Sequence, residues 1–333
     1  MCHPGDVSTT WDCVVVGAGA AGLSAALVLG RARQRTLVID AEGQSNRDAD
    51  GIGGLLGHDG RPPAEFYAAG RDELTTYPTV RLRSGEVVAG RRDDSGFVLE
   101  LADDSRERAR RVLLTTGMDY RFPSLPGIAE RWGRSVFHCP FCHGWEVRDQ
   151  PLGVLDRGAA GAQRALLLCV WSDDVTLLAD GPAELEADDL ERLRAARVAV
   201  DERSVVGLRG PDSSLTAIAF ADGDERPCRG LLVPVTLHQR SGLAEQLGAA
   251  PTDPGPIFVD PVEVDSAFHT SVPGLSAAGD VTTQMPSVAN AVAAGSTAAA
   301  MIVHDLMAEA NGLAPVGAGS DSAGHAGTPT RFS

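Results

Sequence analysis

The feature that most constrains the fold is a glycine loop set between two apolar runs near the start of the chain. Residues 12–16 (DCVVV) are typical of a buried parallel strand, and the loop 17–22 (GAGAAG) follows directly. Residues 23–29 predict a helix, and residues 36–39 (TLVI) predict a second strand that ends at Asp40. This order and spacing favour an α/β fold with a dinucleotide-binding unit.

Each glycine of this loop has its own physical task. Gly17 permits a tight turn, Gly19 lets a pyrophosphate approach the backbone, and Gly22 lets the helix pack on the strand. Asp40 stands where an acid can bond a ribose hydroxyl. The alternative is a glycine-rich structural turn, but both strands and the acid at the expected spacing favour the dinucleotide site.

The second informative stretch is Cys139-Pro140-Phe141-Cys142, because two residues between cysteines bring their sulfur atoms within bonding reach. If Cys139 opens a helix, the free N–H groups there favour its thiolate, and Pro140 suits the first helical position. The pattern predicts a redox pair. The alternative is half of a zinc site with His138 and His143, which needs a second ligand pair. The other cysteines are scattered singly, at Cys2, Cys13, Cys169 and Cys228.

Composition excludes several classes of function. The net charge of −16 argues against nucleic acid and anionic membranes as partners, because their phosphates would be repelled. No apolar run of about 18 residues is evident, so we expect no membrane span, and the first ten residues (MCHPGDVSTT) lack the core of a signal peptide. Six cysteines in 333 residues fit a cytoplasmic protein with one catalytic disulfide.

The rest of the chain divides at glycine and proline. Residues 111–117 predict another strand, and a stretch rich in proline and glycine up to Gly127 predicts a domain connection. Residues 152–155 predict a strand after the cysteine pair. Residues 274–280 (GLSAAGD) lead into a helix of small residues over roughly 287–307. The Gly/Ala/Ser/Pro-rich residues 312–333 are expected to be disordered.

This order of parts resembles the low-molecular-weight thioredoxin reductase family of flavoproteins. The resemblance rests on GAGAAG at 17–22, TTG at 115–117, CPFCHG at 139–144 and AAGD at 277–280. It implies two Rossmann-like domains in an α/β homodimer. An FAD-binding domain of residues 11–118 and 245–311 would enclose a smaller domain, 119–244, that carries the CxxC pair and a degenerate nicotinamide site.

The resemblance also implies which residues contact FAD. The loop 17–22 would hold the pyrophosphate, Asp40 the adenosine ribose and Asp280 the ribityl chain, with 287–289 near the pyrimidine end of the flavin. The full set of expected contacts is Gly17, Ala18, Gly19, Ala20, Ala21, Gly22, Asp40, Gln44, Asn46, Val87, Gly117, Gly279, Asp280, Ser287, Val288 and Ala289.

The second glycine loop departs from the family pattern. It reads DRGAAG at 156–161, so Asp156 brings bulk and negative charge to the first glycine position. Residues 179–182 (ADGP) stand where arginines should bind the 2′-phosphate of NADPH, and residues 172–192 contain eight acids and one arginine. Each carboxylate facing a phosphate costs about 1 kcal/mol or more, so we expect NADPH binding to be lost or weak. In the alternative, Arg157 or Arg164 replaces the missing arginines.

The second departure is His143, which occupies the position of the family's aspartate after the second cysteine. A histidine can accept a thiol proton near neutral pH. The Cys-Pro-aromatic-Cys-His-Gly pattern resembles the dithiol oxidases that close the disulfides of gliotoxin, holomycin and romidepsin, some of which use oxygen. The holomycin type is the most similar of these. The resemblance implies a small dithiol as substrate and O2 as acceptor.

The expected mechanism uses the cysteine pair as oxidant. His143, or alternatively His138, deprotonates a substrate thiol, whose thiolate attacks Cys139; Cys142, expected nearer the flavin, passes on the electrons. Three rival hypotheses stay open at this point. They are an NADPH-dependent disulfide reductase, a flavoprotein redox sensor that does not turn over, and a zinc-stabilised domain.

Overall fold

The structure is a computed structural model that describes residues 10–282 and 285–313. Its strands are β1 Trp11–Val16, β2 Thr36–Asp40, β3 Val80–Ser84, β4 Val87–Asp93, β5 Gly96–Leu101, β6 Arg106–Leu114, β7 Met118–Arg121, β8 Val136–Phe137, β9 Leu152–Leu155, β10 Val175–Leu178, β11 Ala199–Asp201, β12 Val205–Arg209, β13 Ala217–Phe220, β14 Glu225–Pro227, β15 Gly230–Leu232, β16 Thr236–Gln239 and β17 Leu275–Ala277. Its helices are α1 Ala20–Arg31, α2 Pro63–Leu74, α3 Pro140–His143, α4 Gly158–Leu168, α5 Ala187–Ala195, α6 Leu243–Gln246 and α7 Val288–Ala310.

The first sheet has the strand order β3-β2-β1-β6-β5-β4, with β17 also paired to β6. Strands β3, β2, β1, β6 and β17 are parallel, while β4 and β5 add an antiparallel edge. Strands β1, β2 and β17 are buried on both faces, which explains their continuous apolar runs, whereas the edge strand β3 is largely exposed. Val15 and Val38 pack towards α1 and α7, whereas Val14 and Leu37 pack into the core on the opposite face.

Helices α1 and α7 lie against each other on one face of this sheet. A Cβ atom on Gly295 of α7 would collide with the backbone of Ala21 in α1, so the small residues of α7 permit the close approach. By length and composition α7 is also apolar enough to cross a membrane, which corrects our expectation that no such run exists. Its apolar character is explained by its contact with α1, since residues such as Ala298 and Ile302 are buried there.

The second sheet is all parallel, in the order β11-β10-β9-β15-β8, and carries helices α4 and α5. A three-stranded antiparallel sheet, β12-β13-β14, packs beside it, and β7 pairs with β16 in an antiparallel ribbon. The second sheet is formed by a segment that lies between β6 and β17 of the first sheet along the chain. The fold class is therefore confirmed as α/β with two Rossmann-like units, one inserted into the other.

The predicted bounds of strands and helices agree best with the structure where a short buried apolar segment lies between glycine or proline residues. The strand predicted at 152–155 is β9, and the long helix begins at 288 with the Ser287 hydroxyl as its N-cap. The strand predicted at 111–117 is in fact β6, Arg106–Leu114, because its first half pairs with the antiparallel edge. The domain boundaries 11–118, 119–244 and 245–311 stay predictions. The tail predicted as disordered lies outside the described residues from 314 onwards.

Candidate active site

One cavity of about 620 Å³ extends from the glycine loop of the first unit to the cysteine pair of the second. Its walls include Val16 and Ile39 at the carboxyl ends of β1 and β2, the start of α1 and the start of α7. The carboxyl ends of parallel strands are where sheets of this kind bind ligands. The volume is within the range of pockets for cofactors and small molecules.

The glycine loop packs as its sequence predicts. Gly17 has a φ of +107°, and a Cβ atom there would collide with the carbonyl oxygen of Thr115. A Cβ atom on Gly22 would collide with the carbonyl oxygen of Gly17, so Gly22 allows the helix to approach the strand. Gly19, the N-cap of α1, has open space beside it. The start of α1 thus offers unpaired N–H groups to an anionic ligand in the cavity.

Asp40 lies at the end of β2 and is tied to its surroundings. Its Oδ2 accepts a hydrogen bond from Arg71 Nη2 at 2.7 Å, and its Oδ1 accepts one from the N–H of Glu42 at 2.9 Å. Gln44 Nε2 lies 3.4 Å from the same Oδ1. Because a carboxylate offers about four acceptor positions, Asp40 retains room for a ribose hydroxyl.

Asp280 is half-buried in the cavity wall. Its Oδ2 accepts a hydrogen bond from the hydroxyl of Tyr120 at 2.9 Å. Burial raises the pKa of Asp280, and the Tyr120 bond and the Arg240 guanidinium oppose that shift. Arg240 itself donates to the carbonyl oxygens of Gly43 and Met118, so it braces the loop that borders the cavity.

The structure brings the predicted cofactor residues together around this cavity. The predicted residues that line it are Gly17, Ala18, Gly19, Ala20, Ala21, Asp40, Gln44, Asn46, Val87, Gly117, Gly279, Asp280, Ser287, Val288 and Ala289. Gly22 lies behind the wall, in the contact between helix and strand described above. The assignment of each residue to a part of FAD stays a prediction.

Cys139 and Cys142 form a disulfide across the short helix α3. Cys139 is the N-cap residue and Pro140 the first helical residue, as the sequence predicts. Both cysteines are half-buried and line the cavity. A Cβ atom on Gly53 would come within 2.9 Å of the carbonyl oxygen of Cys142, so a glycine is needed for the close approach of this loop. The pair is placed to exchange electrons with a ligand in the cavity.

The remaining described cysteines are not suited to thiol exchange. Cys13 and Cys228 are buried, and burial raises the pKa of each thiol to about 12. Cys169 is half-buried at the end of α4, and burial raises its pKa as well. The thiolate is the attacking species, so these thiols stay inert near neutral pH.

His143 follows Cys142 and is held by a hydrogen bond from its Nε2 to the carbonyl oxygen of Gly133 at 2.9 Å. Its ring stacks on Phe137, with centroids 5.5 Å apart and planes 11° apart. Its Nδ1 is buried and has no hydrogen-bond partner among residues 10–282 and 285–313. Burial lowers the pKa of His143, although the backbone of Gly133 and Cys139 and the acids Glu146 and Asp50 oppose that shift, so the neutral ring is favoured near pH 7 and Nδ1 can accept a proton.

His138 has a different environment, in an aromatic stack. Its ring lies 5.0 Å from that of Tyr120 and 5.8 Å from that of Trp132, and Trp132 packs in turn on Phe122. Burial lowers the pKa of His138 to about 4, and His143 acts in the same direction. At neutral pH it is therefore a much weaker base than a histidine in water.

The loop after β9 shows what replaces a phosphate site. One oxygen of Asp156 accepts a hydrogen bond from the N–H of Arg157 at 2.8 Å, and the other is paired with Arg164. The carboxylate therefore occupies an N–H group at the start of α4 that a phosphate would otherwise use. Gly161 lies against the backbone of Asp156, as Gly22 lies against Gly17.

The loop after β10 closes over the same helix. The N–H of Gly158 donates to the carbonyl oxygen of Ala183 at 2.8 Å, and Arg157 donates to the carbonyl oxygen of Asp180 at 3.1 Å. Arg157 also lies 3.6 Å from the carboxylate of Glu184. Both arginines that could have replaced the missing phosphate ligands are thus paired with acidic residues or backbone of the same unit.

The residues that sequence reasoning missed include three in the cavity lining, Tyr120, Trp132 and Arg240, and one beside it, Arg71. Tyr120 and Arg240 lie on or beside the β7–β16 ribbon, and Trp132 lies in a loop that no motif marks. Arg71 is on α2, 31 positions after its partner Asp40. The only signal available was an aromatic or arginine residue near a motif, which is too common to select these four.

A disulfide that faces a nucleotide-type cavity between two Rossmann-like units defines this chain as a disulfide oxidoreductase. A family model described as pyridine nucleotide-disulphide oxidoreductase matches residues 11–295. Thioredoxin reductase tcpT of Claviceps purpurea is 34% identical over 313 residues, which cover 90% of this chain and 96% of that protein. The chain therefore belongs to the pyridine nucleotide-disulphide oxidoreductase family.

Solved structures agree with this assignment. An oxidoreductase from Agrobacterium tumefaciens has a TM-score of 0.84 and 33% identity, covering 90% of this chain and 99% of that one. The structure of HlmI also has a TM-score of 0.84, with 36% identity and coverage of 91% and 94%. The resemblance to thioredoxin reductase-like proteins is confirmed.

The family implies a flavin cofactor, and the residues of the cavity fit one. The open space beside Gly19 at the start of α1 suits a pyrophosphate, and Asp40 retains an acceptor for a ribose. Asp280 lines the cavity and can accept hydrogen bonds from a polyol chain. At the start of α7, the Ser287 side chain accepts from Asn290, and the first N–H groups of the helix are placed for a carbonyl oxygen.

Proposed function

We propose that the protein is an FAD-dependent dithiol oxidase. It closes an intramolecular disulfide in a small dithiol of the gliotoxin or holomycin kind, with O2 reduced to hydrogen peroxide. The observation that carries the proposal is the contrast between the cofactor cavity and the second nucleotide loop, residues 156–161. A closed disulfide faces the cofactor cavity, while the second nucleotide loop is occupied by Asp156 and its partners.

The first argument concerns the source of electrons. A reductase of this family needs NADPH at the second loop, where the phosphates would meet Asp156 in place of a glycine. Arg157 and Arg164, the cations nearest to this loop in sequence, are already paired. Like charges at close range cost about 4 kcal/mol at 4 Å and an effective dielectric of 20. Electrons therefore enter from a thiol and not from NADPH.

The thiol chemistry balances with the disulfide as oxidant. One substrate thiolate attacks Cys139 Sγ, the Cys139–Cys142 bond breaks, and Cys142 leaves as a thiolate. The second substrate thiolate attacks its partner sulfur in the mixed disulfide and releases Cys139. The substrate loses two electrons and two protons, and the enzyme pair is left reduced. Two residues between the cysteines keep the released Cys142 beside Cys139 throughout.

His143 is the best candidate for the base. Its Nε2 is fixed by the Gly133 carbonyl, which leaves the buried Nδ1 as the proton acceptor of a neutral ring. His138 has a pKa of about 4 and packs in an aromatic stack, which favours a role in shaping the cavity. A histidine base of this kind contributes about 10²–10⁴-fold to the rate of a proton transfer step.

The cavity wall near the disulfide favours an uncharged substrate. Phe141 lines the cavity although it is 69% exposed, and it packs edge-on against Trp171 with ring centroids 5.4 Å apart. Trp145 is 64% exposed but lies outside the cavity wall, under the guanidinium of Arg148. Phe141 is therefore the aromatic surface that a substrate ring would meet.

A bound flavin would take the electron pair from the reduced cysteines and transfer it to O2. The chain's part is to hold the disulfide at the cavity and to keep competing ligands out of the second loop. The second candidate function is an NADPH-dependent disulfide reductase, which the name of the relative from Claviceps purpurea favours. The two functions differ in the electron donor.

The test is anaerobic reduction of the holoenzyme, and the loss of the flavin's visible absorption measures how fast the flavin is reduced. One sample receives NADPH and another a small dithiol. We expect reduction by the dithiol alone, reversed by air with release of peroxide. Cys142→Ser should abolish it, while Cys169→Ser, outside the pair, should leave it unchanged. Rapid reduction by NADPH would establish the reductase instead, and no reduction by either donor would favour a redox sensor.

A further inference from the structure

Tyr120 lines the cavity, and neither the glycine loops nor the thiol chemistry gives it a role. It lies on β7, where its backbone pairs with Leu237 of β16. Its hydroxyl donates to Asp280 Oδ2 at 2.9 Å, and its ring contacts that of His138 at 5.0 Å. The bond joins a half-buried hydroxyl to a half-buried carboxylate, so loss of either group leaves the other without its protein partner.

The two oxygens of Asp280 have different surroundings. Oδ2 is held by Tyr120, whereas Oδ1 receives no hydrogen bond from any residue of the described chain. Arg240, the cation that acts on Asp280, donates its own hydrogen bonds to backbone carbonyl oxygens, at Gly43 and Met118. The orientation of the carboxylate is therefore set by a single protein donor. Without that donor, the side chain would be free to turn about its last torsion.

We propose that Tyr120 is a positioning residue of the flavin site: its hydroxyl fixes Asp280 Oδ2, so that Oδ1 stays available to a hydroxyl of the flavin's polyol chain. The inference concerns retention of the cofactor, and it holds whether electrons come from a dithiol or from NADPH. Hydrogen bonds to a charged acceptor contribute more than those between neutral groups, so the effect on FAD retention is measurable.

The competing explanation is that Tyr120 only fills space between the ribbon and His138. Tyr120→Phe separates the two, because it keeps the ring and its contact with His138 while it removes the hydroxyl. Tyr77→Phe is the matched control, since the Tyr77 hydroxyl accepts a bond from Arg31 at an exposed site far from the cavity. Asp280→Ala removes the group through which Tyr120 is proposed to act.

The experiment measures FAD released from each holoenzyme on serial dilution, by the fluorescence of the free flavin. Thermal melts followed by far-UV circular dichroism, in excess FAD, report on folding. We expect Tyr120→Phe to weaken FAD retention by about tenfold. Tyr77→Phe should match the wild type. Tyr120→Phe combined with Asp280→Ala should release FAD no more readily than Asp280→Ala alone, because the hydroxyl then has no carboxylate to hold.

Two results would overturn the inference. Retention of FAD by Tyr120→Phe at the wild-type level would show that the hydroxyl has no positioning role. A loss of FAD retention in the double variant equal to the product of the two single losses would show that Tyr120 acts independently of Asp280. A lower melting temperature of Tyr120→Phe with unchanged FAD retention would assign it a structural role only. Failure of dithiol oxidation leaves each of these readouts intact.

Discussion

Each Rossmann-like unit places a short loop between its first strand and the helix that follows, β1 to α1 in one and β9 to α4 in the other. The two loops share their geometry at the last glycine, since Gly22 lies against Gly17 and Gly161 lies against Asp156. They differ at the first position, where Gly17 leaves the backbone open to a cavity and Asp156 fills it with a carboxylate. Packing of helix on strand and binding of a phosphate are thus separable demands on one motif.

The difference between the two loops bears on which electron donor the protein can bind. In the first loop the helix start faces the cavity that also reaches the disulfide. In the second loop the acidic side chain and the loop at Asp180 take up the N–H groups and the arginines. On the proposed function, the electron donor is therefore a dithiol that binds on the side of the cavity lined by the disulfide.

The largest effect is expected when the first loop is given the charge of the second. Gly19→Asp adds a carboxylate where a Cβ atom has open space, and aspartate is a favourable N-cap, so the fold should be kept. Repulsion of the FAD pyrophosphate should weaken flavin binding on the order of 100-fold or more. The flavin content of the purified protein measures this. Gly19→Ser is the neutral control, and equal flavin loss in both variants would refute the electrostatic explanation.

The next prediction tests His143 as the base beside the cysteine pair. His143→Gln keeps an N–H donor but lacks the base, so dithiol-driven flavin reduction should slow by about 10²–10³-fold. The base must be neutral to act, and burial lowers the pKa of His143, so the wild-type rate should fall only as pH drops below 6.5. Stopped-flow reduction across pH measures both. His304→Gln, on the exposed side of α7, should follow the wild-type profile; an unchanged profile for His143→Gln would exclude it as the base.

A smaller effect concerns the stability of the cavity wall. The pKa of His138 is about 4 in the folded chain, below the ordinary 6.5, so the unfolded chain takes up the proton first. Stability is therefore lost as pH falls from about 6.5 to 4, by on the order of 1–2 kcal/mol at pH 5. His138→Phe should remove this loss and keep the stack on Trp132. Urea unfolding at pH 5 and pH 8 checks it, and an equal loss in both proteins would contradict the assignment.

The smallest effect tests the second loop directly. Asp156→Gly restores the motif but removes the partner of Arg164 and the acceptor for the Arg157 N–H, which costs about 1 kcal/mol of stability. NADPH should still fail to reduce the flavin, because Arg157 and the loop at Asp180 stay in place. Anaerobic mixing with NADPH measures this. Rapid reduction would show that one residue alone had closed the site.

Features that depend on neighbours in sequence could be predicted from the chain. The loop 17–22 with Asp40, the paired cysteines Cys139 and Cys142, and the start of the last helix near residue 287 follow from short-range spacing, which local backbone geometry determines. Strand β6 was predicted less well, because its first half is shaped by pairing with β5 and not by its own pattern. The apolar character of α7 was missed because no unbroken apolar run marks it; the helix is apolar on average, although polar residues interrupt it.

Features that depend on distant partners were decided by the tertiary structure. The bond of Tyr120 to Asp280 spans 160 positions, and the acceptor for His143 is the carbonyl oxygen of Gly133, on a loop without a motif. The sequence by itself determined that the chain carries a dinucleotide loop and a redox pair. Only the fold decided that the two share a cavity and that Asp156 and Arg157 have protein partners in the second loop. The reason is that spacing along the chain sets local conformation, whereas contacts across it depend on how sheets, helices and loops pack.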